Sequence, residues 1–217
     1  MASKSILDPL GVKGADIDSV ADQLVKNRRQ IPVLVEALQV EKSSKKYAYE
    51  KALRRVSEIR PELLFPHFDV FIRMLDNENS FLKWGAIMTV ANLTAVDTEN
   101  RFEDIFRKYY APISGPGMVT AANVIGSSVN IVRARPELAD PVVNEILKVE
   151  KACYLNKGEP SPECRNVAIG HAIDAFDQFY DRIGSKNKVL NFVKRQLGNT
   201  RKPVARKAER FVRKHSS

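Results

Sequence analysis

Small and apolar residues return along this chain in columns, with polar residues between them. Ala48, Leu82, Met118, Cys164 and Val204 form one column, and four residues later stand Ala52, Ala86, Ala122, Ala168 and Ala208. Four further on come Val56, Val90, Gly126, Ala172 and Val212. Three beyond those lie Ile59, Leu93, Val129 and Ala175, with His215 interrupting the column at its last position. Steps of four, four and three keep a position on one face of an α-helix, because successive residues advance by about 100° around the axis. The pattern therefore predicts five helices, each with an alanine small enough to let a neighbouring helix approach closely. The alanines are 34, 36, 46 and 40 residues apart, near the period of helical-pair repeats.

A second apolar segment precedes each of these helices, usually opened by proline: Pro32 to Leu38, Pro66 to Leu75, Phe102 to Tyr110, Pro141 to Val149 and Val189 to Leu197. Proline suits a first helical turn, where its missing N–H would have had no partner. The clearest unit is Leu75-Asp76-Asn77-Glu78-Asn79-Ser80-Phe81-Leu82-Lys83-Trp84-Gly85-Ala86, followed by Val90 and Leu93, and Cys164-Arg165-Asn166-Val167-Ala168 repeats part of it. A second echo pairs Arg60-Pro61-Glu62-Leu63 with Arg135-Pro136-Glu137-Leu138, 75 residues on, whereas Ala52 and Ala122 are 70 apart. A small change of length between helices accounts for the five-residue difference.

An apolar pair and an acid ending one helix, a short polar turn, then an apolar-basic pair and an alanine opening the next: this pattern resembles the HEAT-repeat family of armadillo-like α-solenoids. The resemblance covers roughly residues 31 to 214. Tyr49, Val119 and Ala205 stand where the family's basic residue would be. It implies an all-α, right-handed superhelix of about five helix pairs, one domain over residues 20–217 after a loosely ordered lead-in, 1–19. It also implies that the second helix of each pair lines a concave surface. The far side from the alanines would then carry Glu50, Trp84, Thr120, Asn166 and Arg206, and beside them Arg54, Met88, Val124, Gly170 and Arg210. The middle of that surface is apolar. An open trough there would suit a protein or peptide partner, centred on Trp84, Met88 and Val124 with Arg54 at its edge. Helices apolar all round because other elements cover them would give the same pattern.

Charge adds a rival surface. The net charge of +9 is uneven: between Lys186 and Ser217 there are eleven Lys or Arg against one acid, Glu209, while the preceding residues hold 24 bases and 25 acids. With Val204, Ala208 and Phe211 facing inward, Arg206, Arg210, Arg213 and Lys214 fall on an outer stripe near Lys202. Such a stripe would neutralise phosphates of a nucleic acid, or sit on an anionic membrane or acidic protein. A terminal repeat also needs a polar outer face simply to remain soluble. Phe192 and Phe211 are the nearby aromatics and read as core, so stacking on bases is not indicated.

At 217 residues, 44% hydrophobic and 28% charged, the composition reads as globular and soluble. The uncharged stretch 112–132 holds two Pro, three Gly, three Ser, two Asn and a Thr, which suits a membrane span poorly. The first residues lack a secretion signal's apolar core and carry acids a transit peptide avoids. Cys153 and Cys164 flank a polar loop and are expected as reduced thiols of a cytoplasmic protein.

Catalytic chemistry is sparse. His67, His171 and His215 match no metal-ligand spacing, and Gly115-Pro116-Gly117 is turn chemistry rather than a phosphate loop. His171, Asp174, Asp177 and Asp181 share one helix face, as a metal or acid-base site or as an acidic face for the basic helices that follow. Some HEAT-like proteins are DNA-repair glycosylases, and Trp84, Tyr109, Tyr110 and Asp97 are the right residue types for one. The expectation is a non-catalytic scaffold with no cofactor and no metal, binding a protein or peptide, with nucleic-acid binding as the alternative.

Overall fold

The computed structural model describes residues 10–11 and 14–216. Most of the lead-in 1–19 lies outside them, although a helix already begins within it at Ile17. The chain is mostly helical, and its helices fall into two compact units that meet in sequence at Phe102 and Glu103.

The first unit contains α1 (Ile17–Lys26), α2 (Gln30–Val40), α3 (Lys45–Ile59), a proline-led turn α4 (Pro61–Leu64), α5 (Phe68–Met74) and α6 (Ser80–Leu93). Capping side chains mark the starts of α1 and α6. Asp16 accepts from the Ser19 N–H at 3.0 Å, and Asn79 accepts from the Phe81 and Leu82 N–H groups at 3.1 and 3.3 Å. Helix α3 packs against α1, α2 and α6, and α6 packs against α5 as well. Ala52, Val56, Ala86, Val90 and Leu93 are all buried, so the alanine column lies in the seam between α3 and α6 as its size requires. Ile59 departs from the pattern: it ends α3 and is exposed.

The second unit opens in the first turn of α7 (Arg101–Tyr110) and continues through α8 (Met118–Ala134), α9 (Ala139–Ile146), α10 (Pro162–Phe179), α11 (Lys186–Arg195) and α12 (Lys202–His215). Helix α10 packs against both α8 and α12, with Ala168 and Ala208 fully buried. The polar loop between the cysteines forms a two-stranded hairpin, β1 (Leu155–Asn156) and β2 (Glu159–Pro160). Its two turn residues, Lys157 and Gly158, both have positive φ, as a tight hairpin turn demands. Both cysteines are free thiols.

Helix α8 corrects the repeat register. Ala122 is only half-buried and Gly126 is exposed, whereas Ala121, Ile125, Ser128 and Val132 face the core. The helix is rotated by one residue, about 100°, from the assigned column. Two adjacent alanines left the frame ambiguous, and serine in the true core column disguised it. Ser128 is satisfied there: its Oγ donates to the Val124 carbonyl at 2.8 Å and lies 3.1 Å from the Tyr110 hydroxyl.

The Arg-Pro-Glu echo is a structural repeat. Arg60 and Arg135 each end a helix with nearly the same backbone, φ/ψ of −141/68° and −129/76°. Each is followed by proline at a helical start and pairs with the glutamate two residues on. Among the described residues, no helix is long and apolar enough to cross a membrane.

Candidate binding surfaces

In the first unit the exposed large side chain that stands out is Phe81, 65% exposed at the second position of α6. Tyr47 at the start of α3 and Trp84, one turn along α6, bracket it. The ring centroids are 5.9 Å apart for Tyr47 and Phe81 and 5.3 Å for Phe81 and Trp84, both edge-to-face. Asn79 fixes this ladder as well as capping α6: while its oxygen holds the helix's first N–H groups, its Nδ2 donates to the Tyr47 hydroxyl at 2.9 Å. Trp84 and Met88, on adjacent turns of α6, are half-buried and continue the same face.

Arg54, two turns beyond Tyr47 on α3, is engaged internally. Its Nε donates to Glu50 Oε1 at 3.0 Å and its second nitrogen reaches Glu58 at 3.4 Å. Glu50, assigned to the outer surface by the column pattern, is only 6% exposed. Burial raises its pKa above the ordinary carboxylate value, and the charge and hydrogen bond of Arg54 offset only part of that shift.

Val124 does not belong to any such surface. It is fully buried, for the same one-residue rotation of α8 that displaced Ala122. The glycosylase-like residues are absorbed by structure too. Asp97 caps α7, its two oxygens accepting from the Arg101 and Phe102 N–H groups at 3.0 and 2.8 Å. Tyr109 and Tyr110 are buried, and desolvation drives both phenol pKa values far up. Phe81, Tyr47 and Asn79 were missed as site residues; an asparagine directly before Ser80 was the available signal for a capped helix whose second residue points outward.

The second unit holds the basic surface. Helix α12 buries Val204, Ala208 and Phe211 and turns its bases two ways. Towards α10, Lys207 pairs with Asp174, and Lys214 and His215 reach Asp177 at 2.9 and 2.7 Å. His215 also packs its ring at a tilt against Tyr180 and Phe211, with centroids 4.0 and 4.5 Å away, so the residue that interrupts the sequence column docks the helix end. The acids of α10 thus serve as a face for the following basic helix. Burial works against the Asp177 carboxylate, but His215 and Lys214 outweigh it and hold its pKa below the ordinary value. Desolvation first, and then the Lys207 charge, lower that of His171. Asp181 lies in the 3-10 turn after α10.

The helix also presents Lys202, Arg206, Arg210 and Arg213, all exposed and, among the described residues, with no carboxylate in ion-pair contact, although Asp174 and Asp177 line the same groove as Arg210 and Arg213. Arg210 and Arg213 border a groove of about 790 Å³ between α10 and α12, floored by Ile173 and Phe211. Neighbouring bases are occupied: Arg195 with Glu150 at 2.7 Å, Arg201 with Glu163, and Lys188 with Asn144 at 3.2 Å. Among the described residues, no three His, Cys, Asp or Glu side chains converge as a metal-ligand set.

No family model matches the sequence. No curated protein matches it. Among solved structures it is similar to a crystal structure of an engineered protein, with 13% identity and a TM-score of 0.48, over 96% of this chain and 86% of that one.

Proposed function

We propose that this protein is a non-catalytic binding scaffold, a HEAT-like α-solenoid of helix pairs, that recognises an apolar segment of a partner protein through Tyr47, Phe81 and Trp84, with Met88 and Arg54 alongside. The solenoid reading is supported within each unit by long helices flanked on both sides, α3 by α1 and α6, α10 by α8 and α12, and by alanine in the seams. The observation that carries the binding reading is Phe81: a large apolar ring held out in solvent by a ladder that Asn79 fastens in advance. Ordering cost is low for such a surface, because the rings are fixed before a partner arrives. Non-catalytic is the reading favoured by the fate of Asp97, Tyr109 and Tyr110, which cap or fill the fold.

Trp84 is the single tryptophan of the chain, so its emission reports directly on this surface. Peptides selected from a random library against the full chain should shift that emission to the blue on binding. Burying a phenylalanine contributes about 2 kcal/mol, so Phe81→Ala should weaken these peptides roughly tenfold or more at unchanged melting temperature. Selected peptides that bind Phe81→Ala undiminished, or that leave Trp84 emission unmoved, would defeat the reading.

A further inference from the structure

We infer that the outer face of α12 is a second, independent binding site, one that takes the phosphate backbone of a nucleic acid without reading its sequence. Internal ion pairing leaves part of the charge of α12 over. Lys207, Lys214 and His215 are drawn towards α10 by Asp174 and Asp177. Four bases remain, Lys202, Arg206, Arg210 and Arg213, spaced by four, four and three residues. That spacing places them within an arc of roughly 80° on the side opposite Val204, Ala208 and Phe211. With a rise of 1.5 Å per residue, successive bases lie about 6 Å apart along the helix, a line of charge about 16 Å long.

The composition of the face selects among anionic partners. Three of the four bases are arginine, whose forked donors match phosphate oxygens in pairs. A helix that lies on a membrane needs an apolar face to push into the lipid. The apolar face of α12 is already spent on its own unit, since Val204, Ala208 and Phe211 are buried. A protein interface needs an apolar centre within its polar rim. Apart from Pro203, the exposed positions of α12 are charged, and the nearest exposed large apolar side chain, Leu197, precedes the helix. Phe192 and Phe211 are buried and offer no ring for a base to stack on, so the contact follows the backbone. Glu209 is exposed on the edge of the same face and opposes the four bases.

Binding of a labelled 20-base-pair duplex to the full chain, followed by fluorescence anisotropy, tests this. Four neutralised phosphates predict a slope of log K against log[salt] of about −3.6, a loss of roughly a hundredfold between 50 and 200 mM salt. A duplex of unrelated sequence should bind equally well. Changing Lys202, Arg206, Arg210 and Arg213 together to glutamine should abolish binding with helicity retained. Arg210→Gln alone should reduce the slope by about one. Glu209→Gln should tighten binding severalfold, an effect that a merely solvated helix face would not produce. Phe81→Ala should leave duplex binding unchanged, which separates this site from the one proposed above. Absence of binding at low salt, undiminished binding by the quadruple variant, or tighter binding of polyglutamate or of phosphatidylserine vesicles than of the duplex would overturn the proposal.

Discussion

Glu50 and Gly85 form a pair whose energetics can be separated by mutation. A Cβ on Gly85 would lie 2.0 Å from Glu50 Oε1 and 2.2 Å from its Cδ, so the glycine in the middle of α6 makes room for the buried carboxyl of α3. In an ordinary helix interior, alanine is favoured over glycine by about 1 kcal/mol. Here Gly85→Ala has to push the Glu50 carboxyl off Arg54, and it should lower stability by about 1 kcal/mol. In a Glu50→Ala background the obstruction is gone, and the same substitution should raise stability by up to about 1 kcal/mol. Urea denaturation of the four variants reads the reversal of sign; the same sign in both backgrounds would show that the glycine serves another neighbour. Glu50 itself has a folded pKa raised mainly by burial, so its charged form is the one the fold disfavours. Its contribution to stability therefore declines as pH rises from about 4.3 through the folded pKa. Glu50→Gln should match or exceed the parent's melting temperature at pH 7, and that advantage should vanish below about pH 4.

At the scale of a helix, Asn79 joins two jobs that substitution can divide. Asn79→Ala removes the cap of α6 and the anchor of Tyr47, and should cost about 1–2 kcal/mol in chemical denaturation. Asn79→Ser keeps an oxygen for the Phe81 and Leu82 N–H groups but lacks the amide that reaches the Tyr47 hydroxyl. It should cost less than the alanine change while loosening the aromatic ladder. Equal losses from both would mean that the cap is not what Asn79 contributes. Elements of this kind mark where the sequence was readable. Helices appeared where apolar periodicity and proline placed them, and Ala52, Ala86, Ala168 and Ala208 are buried because only a small side chain fits their seams. The Arg-Pro-Glu echo was legible because the same backbone recurs at Arg60 and Arg135. The frame of α8 was not, because Ala121 and Ala122 are chemically identical and Ser128 earns its core position through hydrogen bonds that a hydrophobic pattern does not register. That slip carried Val124 to the wrong face. Phe81 escaped notice because it precedes the core residue Leu82 by one position, and a pattern that follows the buried face says little about what the opposite face displays. On α12 the bases were visible in the sequence, but their division into paired and unpaired sets depended on which of them met Asp174 and Asp177.

Across the molecule, partly and fully buried carboxylates of the two units respond oppositely to acid. In the second unit, hydrogen bonds from the Ser185 side chain and backbone hold Asp140 below the ordinary aspartate pKa, and His215 and Lys214 do the same for Asp177 against the effect of burial. Groups with depressed folded pKa values contribute stability above their unfolded value, about 3.9, and lose it as pH falls through the folded one. Each is partly solvated, so each contributes about 1 kcal/mol or less after screening. Glu50, a buried carboxylate of the first unit, has the opposite sign and becomes less costly on acidification. Its depressed carboxylates, Glu41 and Glu62, sit at the exposed surface, as Glu137 does in the second unit, where solvent screens them. Acid should therefore weaken the second unit before the first. Trp84 lies in the first unit, while far-ultraviolet circular dichroism sums over both. Between pH 5 and about pH 3, the urea midpoint read by circular dichroism should fall further than the midpoint read by Trp84 emission. If the two midpoints fall together at every pH, the units unfold as one cooperative body and the opposing signs cancel within it.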